Sequence, residues 1–255
     1  MTALLGSVRA RDRVIVGSGL TVATAMAWAY LFLLADRMGT MGSPLAMPMT
    51  ARWTAQDVVL MWTMWAVMMA AMMLPSAVPM ISAYSTTIGS GNANLHGSTP
   101  LFVSGYLTAW SAFAAVGTAA QWVLHDAALV DAMGASKSDV LGGLILFGAG
   151  AYQFTSLKNA CLTQCRTPLG FLLNEWRPGS GGAVVMGVRH GTLCIGCCWA
   201  LMAMLFLLGV MNLWWIALVA AVVLLEKLVP SSALTRALGG LLALWGVMLI
   251  VGIVR

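Results

Sequence analysis

Charged residues are scarce in this sequence, and their scarcity excludes an ordinary water-soluble fold. Only 8% of the 255 residues are Asp, Glu, Lys or Arg, whereas 60% are hydrophobic. A soluble domain uses about 25% charged residues to cover its surface. The mean hydropathy of +0.90 points in the same direction. The chain is therefore predicted to be an integral membrane protein.

Cysteine is also scarce, and the sequence contains neither a disulfide framework nor an enzyme signature. Five cysteines are too few for the cross-linked scaffold of a secreted protein. Hydrolase nucleophile motifs and phosphate-binding glycine loops are both missing. The net charge of +5 does not indicate a nucleic-acid partner, because basic residues in membrane proteins mostly report orientation. The sequence thus favours a binding or transport protein over an enzyme.

Long apolar runs make up most of the chain and predict an all-α, polytopic transmembrane helical bundle. A helix needs about 20 apolar residues to cross the hydrocarbon core of a bilayer. Seven spans are predicted, at residues 14–35, 57–82, 101–124, 140–157, 183–209, 213–229 and 237–254. Pro75 and Pro79 are expected to kink or end the second span. Residues 1–56 form a first span with a methionine-rich outer loop, and residues 57–255 form a six-span metal-binding domain.

The distribution of basic residues predicts the orientation of this bundle. Cytoplasmic loops of membrane proteins carry an excess of Lys and Arg. With a cytoplasmic amino terminus, nine of the basic residues lie on or near the inner side. The remaining four, on the outer side, are Arg37, Arg52, Lys137 and Arg255. We therefore expect a multi-pass protein with its amino terminus in the cytoplasm and its carboxyl terminus outside.

The segment GVRHGTLCIGCCWALM, residues 187–202, places four soft-metal ligands inside an apolar span. On an α-helix, one face would carry His190, Cys194, Cys197 and Cys198. Thiolates and an imidazole at this spacing suit Cu(I) or zinc. The alternative is that these cysteines are small buried hydrophobic residues that fill the core.

A second cysteine pair, Cys161 and Cys165, is spaced four residues apart at the inner end of the fourth predicted span. This spacing places both thiols on one side of a helix. The pair is predicted to complete a site with the first cluster or to form a separate metal station. Structural filling is the alternative here as well.

Methionines form a stripe along the second span, within DVVLMWTMWAVMMAAMMLP. One helical face carries Asp57, Met61, Met64, Met68 and Met72. Met69 and Met73 broaden this stripe, and the preceding outer loop adds Met38, Met41, Met47 and Met49. Thioethers bind Cu(I) without losing a proton, so they can line a path through lipid. Methionine also fills irregular gaps in a core, which is the alternative interpretation.

The acidic residues Asp57 and Glu226 are further candidates for function. Asp57 heads the methionine stripe and serves either as a helix cap or as a metal ligand. Glu226 stands beside Lys227 in the sixth span, and ionisable groups within a membrane are functional candidates. Glu226 is therefore a candidate gate, proton acceptor, ligand or buried partner for an arginine. Alternatively, the side chains of Glu226 and Lys227 snorkel to the inner surface.

Several segments resemble a family of bacterial integral membrane proteins that are described as predicted metal-binding and of unknown function. The resemblance is carried by GAYQFTSLKNACLTQCRTPLGFL at 148–172, GVRHGTLCIGCCWALMAMLFLLGVMNLWW at 187–215 and EKLVP at 226–230. MWTMWAVMMAAMMLPSAVPMI is similar to the family's amino-terminal motif. The resemblance implies metal binding, a multi-span helical fold and the bacterial cytoplasmic (inner) membrane. The family's motif positions, carried over onto this sequence by the resemblance, are Asp57, Met61, Met68, Met72, Cys161, Cys165, His190, Cys194, Cys197, Cys198 and Glu226.

These observations predict a membrane protein that binds a soft transition metal, with copper favoured and zinc as the alternative. In this hypothesis, Cu(I) is moved or delivered across or within the membrane from thioethers to thiols. A second hypothesis is an accessory subunit or assembly factor of a metal-dependent membrane enzyme. A third is a thiol protein that exchanges electrons with a quinone. Expected partners are the lipid bilayer, a metallochaperone or membrane enzyme subunits, and a second copy in a homo-oligomer.

Overall fold

A computed structural model describes residues 2–39, 53–88, 98–130 and 135–253, and nearly all of these residues are α-helical. The helices are α1 (Thr2–Gly39), α2 (Ala55–Ile88), α3 (Ser98–Asp126), α4 (Asp139–Tyr152), α5 (Ser156–Arg166), α6 (Pro168–Glu175), α7 (Gly179–Ala203), α8 (Leu205–Leu208), α9 (Leu213–Leu228) and α10 (Ser232–Ile250). No strand occurs in these ranges; an isolated bridge joins Val130 and Ser136. The predicted all-α bundle is confirmed. The outer-loop residues Met41, Met47 and Met49 lie outside the described ranges, as does the side chain of Met38.

Five of the described helical segments are long and apolar enough to cross a membrane. They are Val16–Asp36, Ala55–Thr87, Ser98–Asp126, Gly179–Leu208 and Ser232–Ile250. A sixth results if α4 and α5 together form one broken span. The sixth predicted span, 213–229, coincides with α9, whose 16 residues are short of the about 20 that a straight span requires.

The fourth predicted span differs from the observed structure. Instead of one helix over 140–157, α4 ends at Tyr152 and α5 begins at Ser156, with a bend of 64° between them. Thr155 caps the new helix, because its hydroxyl accepts a hydrogen bond from the Lys158 amide at 3.2 Å. The bend directs α5 along α7 and α9 and so brings it beside the helix that carries the other three cysteines.

Helix α2 also differs from one of the sequence expectations. Pro75 and Pro79 do not end it, since the helix continues to Ile88. Near these prolines, the Tyr106 hydroxyl donates to the Met73 carbonyl oxygen at 3.2 Å.

Glycines allow α3 and α7 to pack with their backbones almost in contact. A Cβ atom on Gly187 would overlap the Phe102 carbonyl oxygen, and one on Gly105 would overlap that of Val184. Gly187 and Gly191 form a small-xxx-small pattern, which is typical of close helix pairs in membranes. This close approach holds Tyr106 of α3 against the face of α7 that carries the cysteines.

A second glycine interface joins α4 to α10. A Cβ atom on Gly150 would lie 2.7 Å from the Gly239 carbonyl oxygen, and one on Gly246 would lie 2.6 Å from that of Gly143. The pairing of early α10 residues with late α4 residues shows that these helices are antiparallel.

Candidate metal centre

Helix α7 supplies three buried cysteines at the centre of the bundle. Cys194, Cys197 and Cys198 are each 1% exposed. The thiols of Cys197 and Cys198 donate to the Cys194 carbonyl oxygen, at 3.1 and 3.0 Å. Their i, i+3 and i+4 spacing explains this geometry, because those positions follow one another along a single face of a helix. The structure therefore places these three cysteines together on one face of α7, and metal binding by them stays a prediction.

Cys165 of α5 joins this group from the neighbouring helix. Its side chain interacts directly with those of Cys194 and Cys197. We refer to Cys165, Cys194, Cys197 and Cys198 as the thiol cluster. Cys161 is placed differently. It is half-buried, and its sulfur packs against Gly196, 2.7 Å from the position that a Cβ atom on this glycine would take. Of the predicted pair, Cys165 therefore belongs to the cluster and Cys161 packs beside it.

Helix α2 adds a thioether to the thiol cluster. The Met73 sulfur lies 4.0 Å from the Cys198 sulfur, and the Met73 side chain is fully buried. The stripe residues Met61, Met64, Met68 and Met72 are buried too, between 0% and 4% exposed. The stripe thus runs through the protein interior and ends beside the thiols. Its contact with the cluster is made by Met73, which the sequence placed only at the edge of the stripe.

A lysine contacts the thiol cluster from α9. The Lys227 ammonium nitrogen lies 2.8 Å from the Cys194 sulfur and donates to the Ser76 hydroxyl at 2.8 Å. The Tyr106 hydroxyl lies 3.2 Å from the same sulfur. Lys227 is 8% exposed, so it does not snorkel to a surface as one alternative had it. A positive charge at this distance stabilises the thiolate, which is the form of cysteine that binds metals.

His190 lies one helical turn before Cys194 and is enclosed by aromatic rings. It stacks on Tyr106 at a centroid distance of 5.7 Å and makes an edge contact with Phe171 at 5.5 Å. The side chain is 3% exposed, and its Nδ1 atom has no hydrogen-bond partner. A buried polar atom without a partner is unusual and is consistent with a ligand role. Metal ligation by His190 stays a prediction.

Glu226 forms a buried ion pair with a lysine and not with an arginine, which was one of its predicted roles; its roles as gate, proton acceptor or ligand stay predictions. Its Oε2 atom lies 2.7 Å from the ammonium nitrogen of Lys158, and the two side chains are 3% and 0% exposed. Arg166 contacts Glu226 through the backbone, because its Nε donates to the Glu226 carbonyl oxygen at 2.8 Å. Arg166 also donates to the Val229 carbonyl oxygen at 3.0 Å. These contacts fasten α5 to the end of α9.

Asp57 caps α2 at the far end of the methionine stripe. Its Oδ2 atom accepts hydrogen bonds from the Thr54 amide at 2.8 Å and the Thr54 hydroxyl at 2.7 Å. The Thr54 hydroxyl in turn accepts from the Asp57 amide at 3.3 Å. This reciprocal pair is a capping box. The cap, the first of the two predicted roles, is therefore present, and a ligand role for Asp57 stays a prediction.

The donors at this centre match a soft metal, although they are not arranged as a finished site. Within the described part of the chain, no three His, Cys, Asp or Glu side chains form a group ready to hold a metal ion. The thiols of Cys197 and Cys198 donate hydrogen bonds to a carbonyl oxygen, so metal binding requires these thiols to lose their protons. Four thiols with a thioether suit Cu(I), which prefers thiolate and thioether sulfur. The residues present therefore fit copper in chemistry.

Three residues of the centre were not selected as site residues from the sequence. Lys227 was noted only as a neighbour of Glu226, and its ionisable group in an apolar span was the available signal. Met73 lies one position beyond the selected stripe. Tyr106 gave no signal, because its role depends on the packing of α3 against α7.

Comparison with known proteins supports the metal chemistry of this centre. Neither the curated proteins nor the solved structures contain a match to this chain. A family model described as "PpoB2: Copper chaperone" matches residues 62–249, which include the buried methionines of α2 from Met64 onward, the thiol cluster and Lys227. Since the match covers most of the sequence, this chain belongs to the PpoB2 copper chaperone family, and its function is related to copper.

Proposed function

We propose that this protein is an integral membrane copper chaperone that takes up Cu(I), holds it at the thiol cluster and delivers it to an acceptor. The single observation that carries the proposal is the convergence of sulfur atoms from α2, α5 and α7. The Met73 and Cys198 sulfurs lie 4.0 Å apart, and Cys165 interacts directly with Cys194 and Cys197. Membership of a copper chaperone family supports copper as the ion.

The route of the ion follows the order of ligand strength along the bundle. Thioethers of α2 accept Cu(I) without deprotonation, so they bind it reversibly in an apolar path. Thiolates at the end of this path bind it more tightly. Met61, Met64, Met68 and Met72 form the first part of the route, and the thiol cluster forms the second. His190 and Asp57 are further candidate ligands at its two ends.

Delivery takes place at the end of the bundle where α5 meets α9. Cys165 occupies the last turn of α5, and its neighbour Arg166 binds the carboxyl end of α9. Cys165 and Cys161 are half-buried, whereas the three cysteines of α7 are fully buried. Cys165 is thus the residue of the thiol cluster that lies closest to the protein surface, and an incoming acceptor approaches from its side. The acceptor is a metallochaperone or a subunit of a copper-dependent membrane enzyme.

The proposed location is the bacterial cytoplasmic membrane, with the amino terminus in the cytoplasm. This orientation puts Arg166, Arg177, Arg189 and Arg236 on the inner side, as the excess of basic residues in cytoplasmic loops requires. Copper then moves inward, from the thioethers of α2 to the thiols. The orientation rests on the distribution of charge along the sequence. The inward direction of copper movement rests on that orientation and on the order of thioethers and thiols.

The test is copper transfer by the protein reconstituted alone in sealed phospholipid vesicles without oxygen. Cu(I) is supplied outside, and a chromophoric Cu(I) chelator is trapped inside. We expect colour to develop with the wild-type protein and to be lost in the variant Cys194→Ser, Cys197→Ser, Cys198→Ser. Cys161→Ser is the matched control, because its sulfur lies outside the thiol cluster, and it should transfer copper normally.

Two outcomes would contradict the proposal. If the triple variant transfers copper as fast as the wild type, the thiol cluster does not carry the ion. If the wild type binds copper but never releases it to the trapped chelator, the metal is resident. That second result would favour a permanent subunit of a metal-dependent enzyme over a chaperone.

A further inference from the structure

We propose that Cu(I) at this centre is bound by two thiolates, Cys194 and Cys198, and by the Met73 thioether, with the Lys227 ammonium group as the buried counter-ion. This inference rests on the proposed function and specifies its ligand set. It adds two residues, Met73 and Lys227, to those predicted from the sequence.

The distance between the Met73 and Cys198 sulfurs supports a three-sulfur site. Metal–sulfur bonds to thiolates are about 2.3 Å long, so three sulfurs arranged around one ion lie about 4.0 Å apart. The observed separation of Met73 and Cys198 is 4.0 Å. Cys194 supplies the third sulfur of the proposed site, because it lies one turn before Cys198 on the same face of α7, and the Cys198 thiol donates to its carbonyl oxygen at 3.0 Å. The Tyr106 hydroxyl joins the two helices here by contacting the Cys194 sulfur and the Met73 carbonyl oxygen, each at 3.2 Å.

The charge of the site is balanced when two thiolates, and not three, bind the ion. Two thiolates with one Cu(I) carry a net charge of minus one, which the Lys227 ammonium neutralises. A third thiolate would leave an uncompensated negative charge in an apolar interior, and such a charge is costly. A neutral thioether is therefore the favoured third ligand. Met73 is the thioether in contact with a thiol of the cluster.

Lys227 can act as a counter-ion because its position is fixed by its other contact. It donates to Ser76 on α2 and lies 2.8 Å from the Cys194 sulfur on α7. The neighbouring acid, Glu226, is paired with Lys158 and does not neutralise Lys227. With its ammonium group facing the cluster, Lys227 balances the charge of the Cu(I)–thiolate complex without occupying a coordination position.

The first experiment measures Cu(I) affinity of the detergent-purified full chain by competition with a chromophoric Cu(I) chelator, without oxygen. Lys227→Met should weaken Cu(I) binding on the order of tenfold or more, because it leaves the complex without its counter-ion. Lys227→Arg restores the positive charge and should recover most of the affinity. Lys137→Met, at an exposed loop position, is the matched control and should bind like the wild type. Equal affinity in Lys227→Met and the wild type would overturn the role of Lys227.

The second experiment counts sulfur ligands by X-ray absorption of the Cu(I)-loaded protein, and its wild-type arm does not depend on the folding of any variant. We expect three sulfurs in the wild type and two in Met73→Leu, with three retained in the control Met26→Leu, whose side chain is 63% exposed. Three sulfurs in Met73→Leu, or two or four in the wild type, would overturn the ligand set. If the wild type binds no Cu(I), the proposed function itself fails, so the two failures are distinguishable.

Discussion

Lys158 of α5 and Glu226 of α9 form an ion pair in which the ammonium nitrogen and the carboxylate oxygen are 2.7 Å apart and both side chains are buried. The pair lies next to Lys227, the residue that contacts Cys194. Two consecutive residues of α9 therefore make polar contacts on two sides, one with α5 and the other with α7. The pair holds in place the short helix that carries Cys165.

We predict that breaking this ion pair destabilises the protein more than breaking a surface pair. Lys158→Met leaves the Glu226 carboxylate without a counter-ion and should cost about 3–5 kcal/mol of stability. The double variant Lys158→Met, Glu226→Leu removes both charges and should regain much of that loss. Thermal unfolding in detergent measures both effects.

The matched control is the exposed pair of Arg189 and Glu175, whose side chains are 56% and 24% exposed. Arg189→Met should change stability by about 1 kcal/mol or less, because solvent screens exposed pairs. A loss of equal size in Lys158→Met and Arg189→Met would contradict a structural role for the buried pair.

We predict that Gly187→Ala separates α3 from α7 and weakens copper binding. The added Cβ atom would overlap the Phe102 carbonyl oxygen, and backbone atoms cannot move aside as a side chain can. Tyr106 would be pulled away from Cys194, so the melting temperature and the Cu(I) affinity should fall together. Gly240→Ala on α10 is the control, since no atom lies within 4 Å of its Cβ position. Wild-type behaviour of Gly187→Ala would show that the close approach is unimportant.

The parts of the centre that belong to one helix followed from the sequence, whereas contacts between helices did not. The spacing of Cys194, Cys197 and Cys198 places them on one face of any helix, so their clustering required no knowledge of the fold. The pairing of Lys227 with Cys194 depends on how α9 packs against α7. Residue spacing within one helix carries no information about that packing.

The bend between α4 and α5 was missed for a different physical reason. The connecting residues, 153–155, contain neither glycine nor proline, which are the usual signals of a break. The one local signal was Thr155, a good N-cap residue that accepts a hydrogen bond from the Lys158 amide. A capping residue within an apolar run is a weak signal, because threonine also occurs inside transmembrane helices.

We predict that the methionine stripe sets the rate of copper loading and leaves the final amount of bound copper unchanged. Replacing Met61, Met64, Met68 and Met72 by leucine keeps the volume of the core but removes the thioether ligands. Stopped-flow measurements of Cu(I) binding should therefore show slower loading and an unchanged stoichiometry. Met26→Leu, at an exposed position of α1, is the control. Normal loading kinetics in the fourfold variant would indicate that these methionines only fill space.

We predict that Cys165→Ser retains copper binding and slows its release to an acceptor. Cys165 is the half-buried residue of the cluster, whereas the proposed ligands Cys194 and Cys198 are fully buried. The release rate to an added Cu(I) chelator should fall, while the copper content stays close to that of the wild type. Cys161→Ser provides the comparison and should release copper normally. Complete loss of bound copper in Cys165→Ser would instead identify Cys165 as a required ligand.

The central claim is that the buried cysteines of α7 hold copper. Its most direct test is the copper content of protein that has been loaded with Cu(I) and purified without oxygen. Elemental analysis should find copper in the wild type and in Cys161→Ser. It should find almost none in Cys194→Ser, Cys197→Ser, Cys198→Ser. The same copper content in this triple variant as in the wild type would contradict the account.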